Sequence, residues 1–108
     1  MNNDNIQGLK LTNGLDLIGD VQGETDDGRL IIKEAFFLQT VQNAPQGDIN
    51  VEYLPLTLLG KPTNKNHQAF DVDLPKISVL FQFELHPGII DRYQQLVSPI
   101  ILPPSTTL

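Results

Sequence analysis

Acidic side chains crowd one short stretch of this 108-residue chain, with Asp20, Glu24, Asp26 and Asp27 all inside LIGDVQGETDDGR. Hard cations are held by several oxygens, and such a cluster could supply them. The spacing fits no EF-hand pattern, so solvated turn acids are the plainer reading and no metal site is assigned. The two histidines, His67 and His86, are well separated. His67 reads as an exposed loop residue and His86 as the entry to a helix. With no cysteine and no Ser-centred nucleophile motif, nothing supports a nucleophile–base pair. The segments around Gly8 and Gly60 lack the glycine spacing of phosphate loops, and no Walker-type lysine is present. No catalytic residue, cofactor or small-molecule substrate is expected, and the chain does not read as an enzyme.

Net charge is −6, from 13 acidic and 7 basic residues. Binding through phosphate neutralisation needs clustered cations. Here Lys10, Arg29, Lys33, Lys61, Lys65, Lys76 and Arg92 are scattered, which disfavours generic nucleic-acid coating. A ring would gather copies of each around an axis. The N-terminus, MNNDNIQG, lacks the features of a signal peptide, and no apolar run approaches the roughly 18 residues of a membrane span. A soluble, cytoplasmic protein of a bacterial or phage-infected host cell is expected, with no membrane partner.

The elements that must position these residues are mostly strands, in a single domain spanning 1–108. Residues 1–7 are expected to be disordered. Gly8 to Thr12 reads as a strand, and Asn13-Gly14 is a strong hairpin signal because both residues tolerate positive φ. Leu15, Leu17, Gly19 and Val21 alternate with Asp16, Ile18, Asp20 and Gln22, a period-2 pattern blurred by Ile18, and Gly19 suggests a bend. Thr25 to Gly28 is a second turn and Leu30 to Gln42 a long strand. After a turn at 43–48, Ile49 to Leu54 and then Leu56 to Leu59 are strand-like, with Pro55 between them. Gly60 to Gln68 reads as a protruding loop, with Lys61 and Lys65 keeping it solvated or, alternatively, contacting a partner. Ala69 to Leu74 and Ile77 to Leu85 are further strands. Pro87 to Val97 changes to helical spacing, with Ile89, Ile90, Tyr93, Leu96 and Val97 on one side. Ser98 to Leu102 reads as a last short strand.

The run from Leu9 to Ala35 resembles the first motif of the Sm-like small β-barrel family. The matching residues are Leu9, Leu11, Asn13, Gly14, Leu17 or Ile18, Gly19, Val21, Gly23, and then Leu30, Ile31, Ile32 and Ala35. The family's second motif is a short strand, a tight turn containing Arg-Gly or Lys-Gly, and a last strand. Here ISVLFQFEL, HPGIIDRYQQLV and SPIILP follow one another, so a helix is expected to replace the turn. That arrangement is similar to divergent Sm-like proteins of marine tailed phages, some of which form five-membered rings. Aligning the glycines places Thr25 and Arg29 where the family carries the Asp and Asn of its RNA pocket. The resemblance thus makes Arg29 the candidate RNA-binding residue, at a loop facing a central pore. The alternative reading of Arg29 is a residue balancing Asp26 and Asp27 across the turn.

The expected fold is mostly β: a small, strongly bent, five-stranded Sm-like barrel with one α-helix inserted before the last strand. So small a barrel does not bury both faces of its apolar strands. Edge pairing between subunits would cover the surplus, unless a helix packs on one face. The resemblance implies a cyclic homo-oligomer, five- to seven-fold, binding single-stranded RNA without catalysis. The rival expectation is an assembly ring that kept the scaffold and lost the RNA pocket.

Overall fold

Two turns set the first half of the fold. Asn13 Oδ1 accepts the Leu15 N–H at 3.0 Å, and the Gly14 N–H donates to the Leu11 carbonyl at 2.9 Å. Gly28, at φ +83°, closes the second turn by donating to the Thr25 carbonyl at 3.1 Å. These turns connect β1 (Ile6–Leu11), β2 (Asp16–Glu24) and β3 (Arg29–Asn43). The rest comprises β4 (Asp48–Leu54), β5 (Phe70–Pro75), a 3-10 turn at Lys76–Ser78, β6 (Val79–Phe83) and α1 (Pro87–Val97). The computed structural model describes residues 5–43, 48–63 and 68–97. The expected strand at 98–102 lies outside them, as do Lys65 and His67.

All strands pair antiparallel in one open sheet, ordered β4-β3-β2-β1-β6, with β5 also on β3. One edge of β3 carries β2. Its other edge is divided: residues 29–35 hold β5 and residues 37–43 hold β4.

The division falls at a bulge. Registers shift between Ile32 and Ala35 against β5 and between Ile18 and Asp20 against β2, and Glu34 takes a left-handed φ of +53°. Such a conformation is unfavourable for a side chain with a Cβ and persists only when its surroundings hold it. Here the Asp71 carboxylate accepts the Glu34 N–H at 2.9 Å, and the Tyr93 hydroxyl donates to the Glu34 carbonyl at 2.8 Å. Gly19 faces the same bend. A Cβ there would collide with a methyl of buried Ile32 and lie 3.3 Å from the Lys33 carbonyl oxygen.

The sheet curls sharply. The turns after β1 and after β2 lie at opposite ends of β2, roughly 30 Å apart if that strand were straight. Yet the Lys76 N–H donates to the Gly28 carbonyl at 3.0 Å, and the Thr12 N–H donates to the Ser78 carbonyl at 2.9 Å. A connector of three residues cannot bridge a flat sheet. Its margins must therefore approach one another.

Both faces carry a core. Leu9, Leu11, Leu17, Leu30, Ile32 and Ala35 are buried on the concave side, with Val72, Leu74 and Val79 packed against them. On the convex side Ile6, Ile18, Phe36 and Leu85 pack with Tyr93 and Val97 of α1. Phe36 meets Tyr53 and Tyr93 edge-on, each at 6.2 Å. The helix thus covers one face, which explains consecutive burial of Leu17, Ile18 and Gly19 where Ile18 blurs the alternation.

Other expectations need correction. Among the described residues there are six strands rather than five. Residues 6 and 7 belong to β1, and Ile6 is only 2% exposed, so ordered structure begins before Gly8. Burial of Ile6 under α1 supplies the reason. Leu56 to Leu59 forms no strand, and Leu58 and Leu59 are 85% and 98% exposed. Ile77 belongs to the 3-10 turn rather than to a strand, because Pro75 ends the β5 ladder. Pro87–Val97 is the helix its spacing predicts, following β6 among the described residues.

Two outcomes follow for stability. Gly19→Ala should cost about 1–3 kcal/mol in urea denaturation, since the new methyl must displace a buried neighbour. Tyr93→Phe leaves the Glu34 carbonyl without its donor and should cost about 1–3 kcal/mol. Burial raises the Tyr93 pKa, and the nearby carboxylates of Glu34, Asp20 and Asp71 raise it further. The folded phenol therefore stays protonated where the unfolded one ionises. Its contribution is complete below about pH 10 and declines as pH rises further. Stability should fall less steeply above pH 10 in Tyr93→Phe than in the wild type.

Candidate functional site

The curled sheet gathers its chemistry where the Thr25–Gly28 turn meets the Lys76–Ser78 connector. The turn is held by its own polar groups: the Arg29 N–H donates to Thr25 Oγ1 at 3.1 Å, and the Thr25 hydroxyl donates to the Asp27 carboxylate. Arg29, the first residue of β3, extends its guanidinium over β5. Its Nε lies 3.4 Å from Asp73 Oδ2, and its Nη2 donates to the Asp73 carbonyl at 3.3 Å. Beside it, Lys76 Nζ lies 3.4 Å from Glu24 Oε1.

The expected balancing of Asp26 and Asp27 by Arg29 is therefore replaced by a pair with Asp73. The turn carboxylates are exposed, and β5 lies alongside Arg29 in register. Lys76 joins the site through the connector. The break expected between Leu74 and Ile77 is present at Pro75, but nothing local signals that Lys76–Ser78 folds against the Thr25–Gly28 turn. Asp73 had no sequence signal, since its partner is 44 residues away.

Among the described residues, two cations and four carboxylates (Glu24, Asp26, Asp27 and Asp73) share this rim. Both cations are accessible and both are ion-paired. Arg29 can offer a planar fork to a phosphate or base edge, and Lys76 a point charge, once their carboxylates are displaced. Asp20 is not gathered here, and no group of three or more potential metal ligands occurs among the described residues.

The other residues of interest lie apart. His86 is exposed, and its backbone carbonyl accepts the Ile89 and Ile90 N–H groups at 3.0 and 3.2 Å, opening α1 as expected. An open groove runs between β4 and α1, lined by Val51, Tyr53, Ile89, Arg92 and Leu96. Tyr53 spans it, donating its hydroxyl to the Ile89 carbonyl at 2.7 Å. Burial raises the Tyr53 pKa, and Arg92 partly offsets that. No helix among the described residues is long and apolar enough to cross a membrane.

No protein-family model matches the chain, and no curated protein matches it significantly.

Exposed ion pairs contribute between zero and about 1 kcal/mol, because solvent screens them and ordering long side chains costs entropy. Arg29→Ala and Lys76→Ala should therefore each retain the fold. Their urea midpoints should change by no more than about 1 kcal/mol equivalent, with the slope of the transition unaltered.

Proposed function

We propose that this chain is an Sm-like protein that assembles into a cytoplasmic ring of five to seven copies and presents the Arg29–Lys76 rim to single-stranded RNA. It acts as a non-catalytic RNA-binding or chaperone-like module. The observation that carries this reading is the Lys76 N–H···O=C Gly28 hydrogen bond, which places the two basic residues on one rim.

The element order supports the family assignment. On this reading the short strand, tight turn and last strand of the second motif are taken as Phe70–Pro75, Lys76–Ser78 and Val79–Phe83, instead of the expected match in which the helix replaces the turn. Lys76 then stands at the basic position of that turn, with Ile77 in place of the family's glycine. The strands β6, β1, β2, β3 and β5 form the five-stranded unit, and β4 is an addition on the far half of β3. Among the described residues of one copy, β5 pairs only with β3 and β6 only with β1, so β6 keeps an edge for a neighbour and β5 a partial one, its Asp71 N–H and Asp73 carbonyl being engaged by Thr63 and Arg29.

A second reading is favoured by a specific observation: both rim cations already have carboxylate partners. In that case the ring is an assembly scaffold whose partner is a protein. Fluorescence anisotropy with short U-rich and A-rich RNAs, repeated across a salt series, separates the two. RNA binding predicts measurable affinity at low salt. Arg29→Ala and Lys76→Ala should then weaken it and flatten the log K against log salt slope by about 0.7 for each phosphate that is no longer neutralised. An intact ring that binds neither RNA at low salt overturns the RNA reading, and a partner retained after nuclease treatment would establish the assembly one.

A further inference from the structure

Strand β6 leaves large apolar groups uncovered. Leu80 is 61% and Phe81 53% exposed, and Phe81 leans on Phe83 with ring centroids 5.9 Å apart. At the other margin, a cavity of about 100 Å³ opens beside Phe70, walled by Pro55, Leu58, Pro62 and Gln68. Its walls are pinned to β5. The Thr63 N–H donates to the Ala69 carbonyl at 2.9 Å, and the Asp71 N–H donates to Thr63 Oγ1 at 2.8 Å.

We propose that this cavity is a socket for Phe81 of a second copy of the chain. The inference rests on the ring reading above and adds what joins neighbouring subunits.

The faces of the sheet decide the match. Phe81 and Phe83 pair with Lys10 and Gly8, so they lie on the convex face with Ile6. Phe70, Val72 and Leu74 pair with Ala35, Ile32 and Leu30, on the concave face. Each neighbouring pair from β6 through β1, β2 and β3 to β5 is antiparallel, so β5 and β6 run the same way in the unrolled sheet. A second copy adding its β6 antiparallel to β5 must therefore be turned over. Its convex face then continues the concave face of the first copy, which brings Phe81 to the side of Phe70. Parallel addition would instead set Phe81 against Asp71 and Asp73, where apolar burial meets carboxylates.

One further feature favours a second copy. Antiparallel pairing sets the Phe70 end of β5 against the Phe83 end of β6, which carries exposed Glu84 toward exposed Lys61 beside the socket. Part of the β5 edge is already engaged, through the Asp71 N–H on Thr63 and the Asp73 carbonyl on Arg29, so an added β6 cannot pair along its whole length. The ladder between copies is thereby shortened, and side-chain packing has to supply more of the contact. Socket and knob occupy opposite margins of one chain, so the contact is head-to-tail and closes into a ring when its rotation permits.

Because the chain has no cysteine, crosslinking gives a clean test. In a Phe81→Cys, Leu58→Cys variant, mild oxidation should produce a ladder of disulfide-linked chains on non-reducing gels. A Phe81→Cys, Leu15→Cys control should not, since Leu15 lies on the turn between β1 and β2. Phe81→Ala should raise the dissociation concentration of the oligomer at least tenfold in native mass spectrometry. A monomeric wild type at every concentration overturns the ring reading and the socket with it. An oligomeric wild type whose cysteine variant forms no ladder, or forms one equally with the control, overturns the socket alone.

Discussion

Everything in this fold turns on the backbone of Glu34. A fifteen-residue strand cannot serve a small curled sheet unless it bends, and β3 bends where Glu34 adopts a left-handed conformation. That conformation is held from two directions, by Asp71 on the N–H and by Tyr93 on the carbonyl. The two partners come from β5 and α1, elements far apart in sequence. The bulge therefore cannot be complete until both have docked, and neither docks well on a straight β3. Lys33 adds a longer contact to Asp71, at 3.9 Å, on the same side. Local strain here is stabilised by tertiary structure, and it divides the edge of β3 between β5 and β4.

This dependence also explains which parts were legible from the residues alone. Asn13-Gly14 and Thr25–Gly28 announce turns because their backbone needs are local, and Pro87 to Val97 announces a helix because its apolar spacing is local. Nothing about a Lys-Glu pair marks a left-handed bulge, because its cause lies in Asp71 and Tyr93. The two-sided burial of Leu17 and Ile18 showed only as a blurred alternation. Alternation assumes one wet face, and here α1 covers the convex side while the curl encloses the concave one. Pro75 was a readable stop, whereas the place of Lys76–Ser78 beside the Thr25–Gly28 turn depends on the curl. In the candidate site Arg29 was visible from its turn, whereas Lys76 and Asp73 reach it only through the curl.

The same curl ties rim to margins. Lys76–Ser78 joins β5 to β6, so the segment that brings Lys76 beside Arg29 also sends the chain from one margin of the sheet to the other. Assembly through those margins would repeat the rim around an axis without any further element. A mutation in the connector would be felt at both places, whereas Phe81 and Leu58 lie away from the rim cations. Rim chemistry and subunit contact are thus separable at the level of side chains but share one backbone.

The charge of the rim limits what it can recognise. Each cation lies 3.4 Å from a carboxylate at an accessible position, so releasing it costs at most about 1 kcal/mol. The displaced carboxylates remain nearby, together with Asp26 and Asp27. A phosphate drawn to Arg29 therefore meets a local excess of negative charge, which a ring would multiply rather than cancel. Affinity built on phosphates alone would be weak at this rim. A single strand held here needs contacts to its bases, from the Arg29 guanidinium plane or from 87%-exposed Ile77 on the connector. A protein partner faces no such conflict, since it can bring its own cations to Asp26 and Asp27. The two readings of the rim therefore differ in the sign of the charge that must arrive.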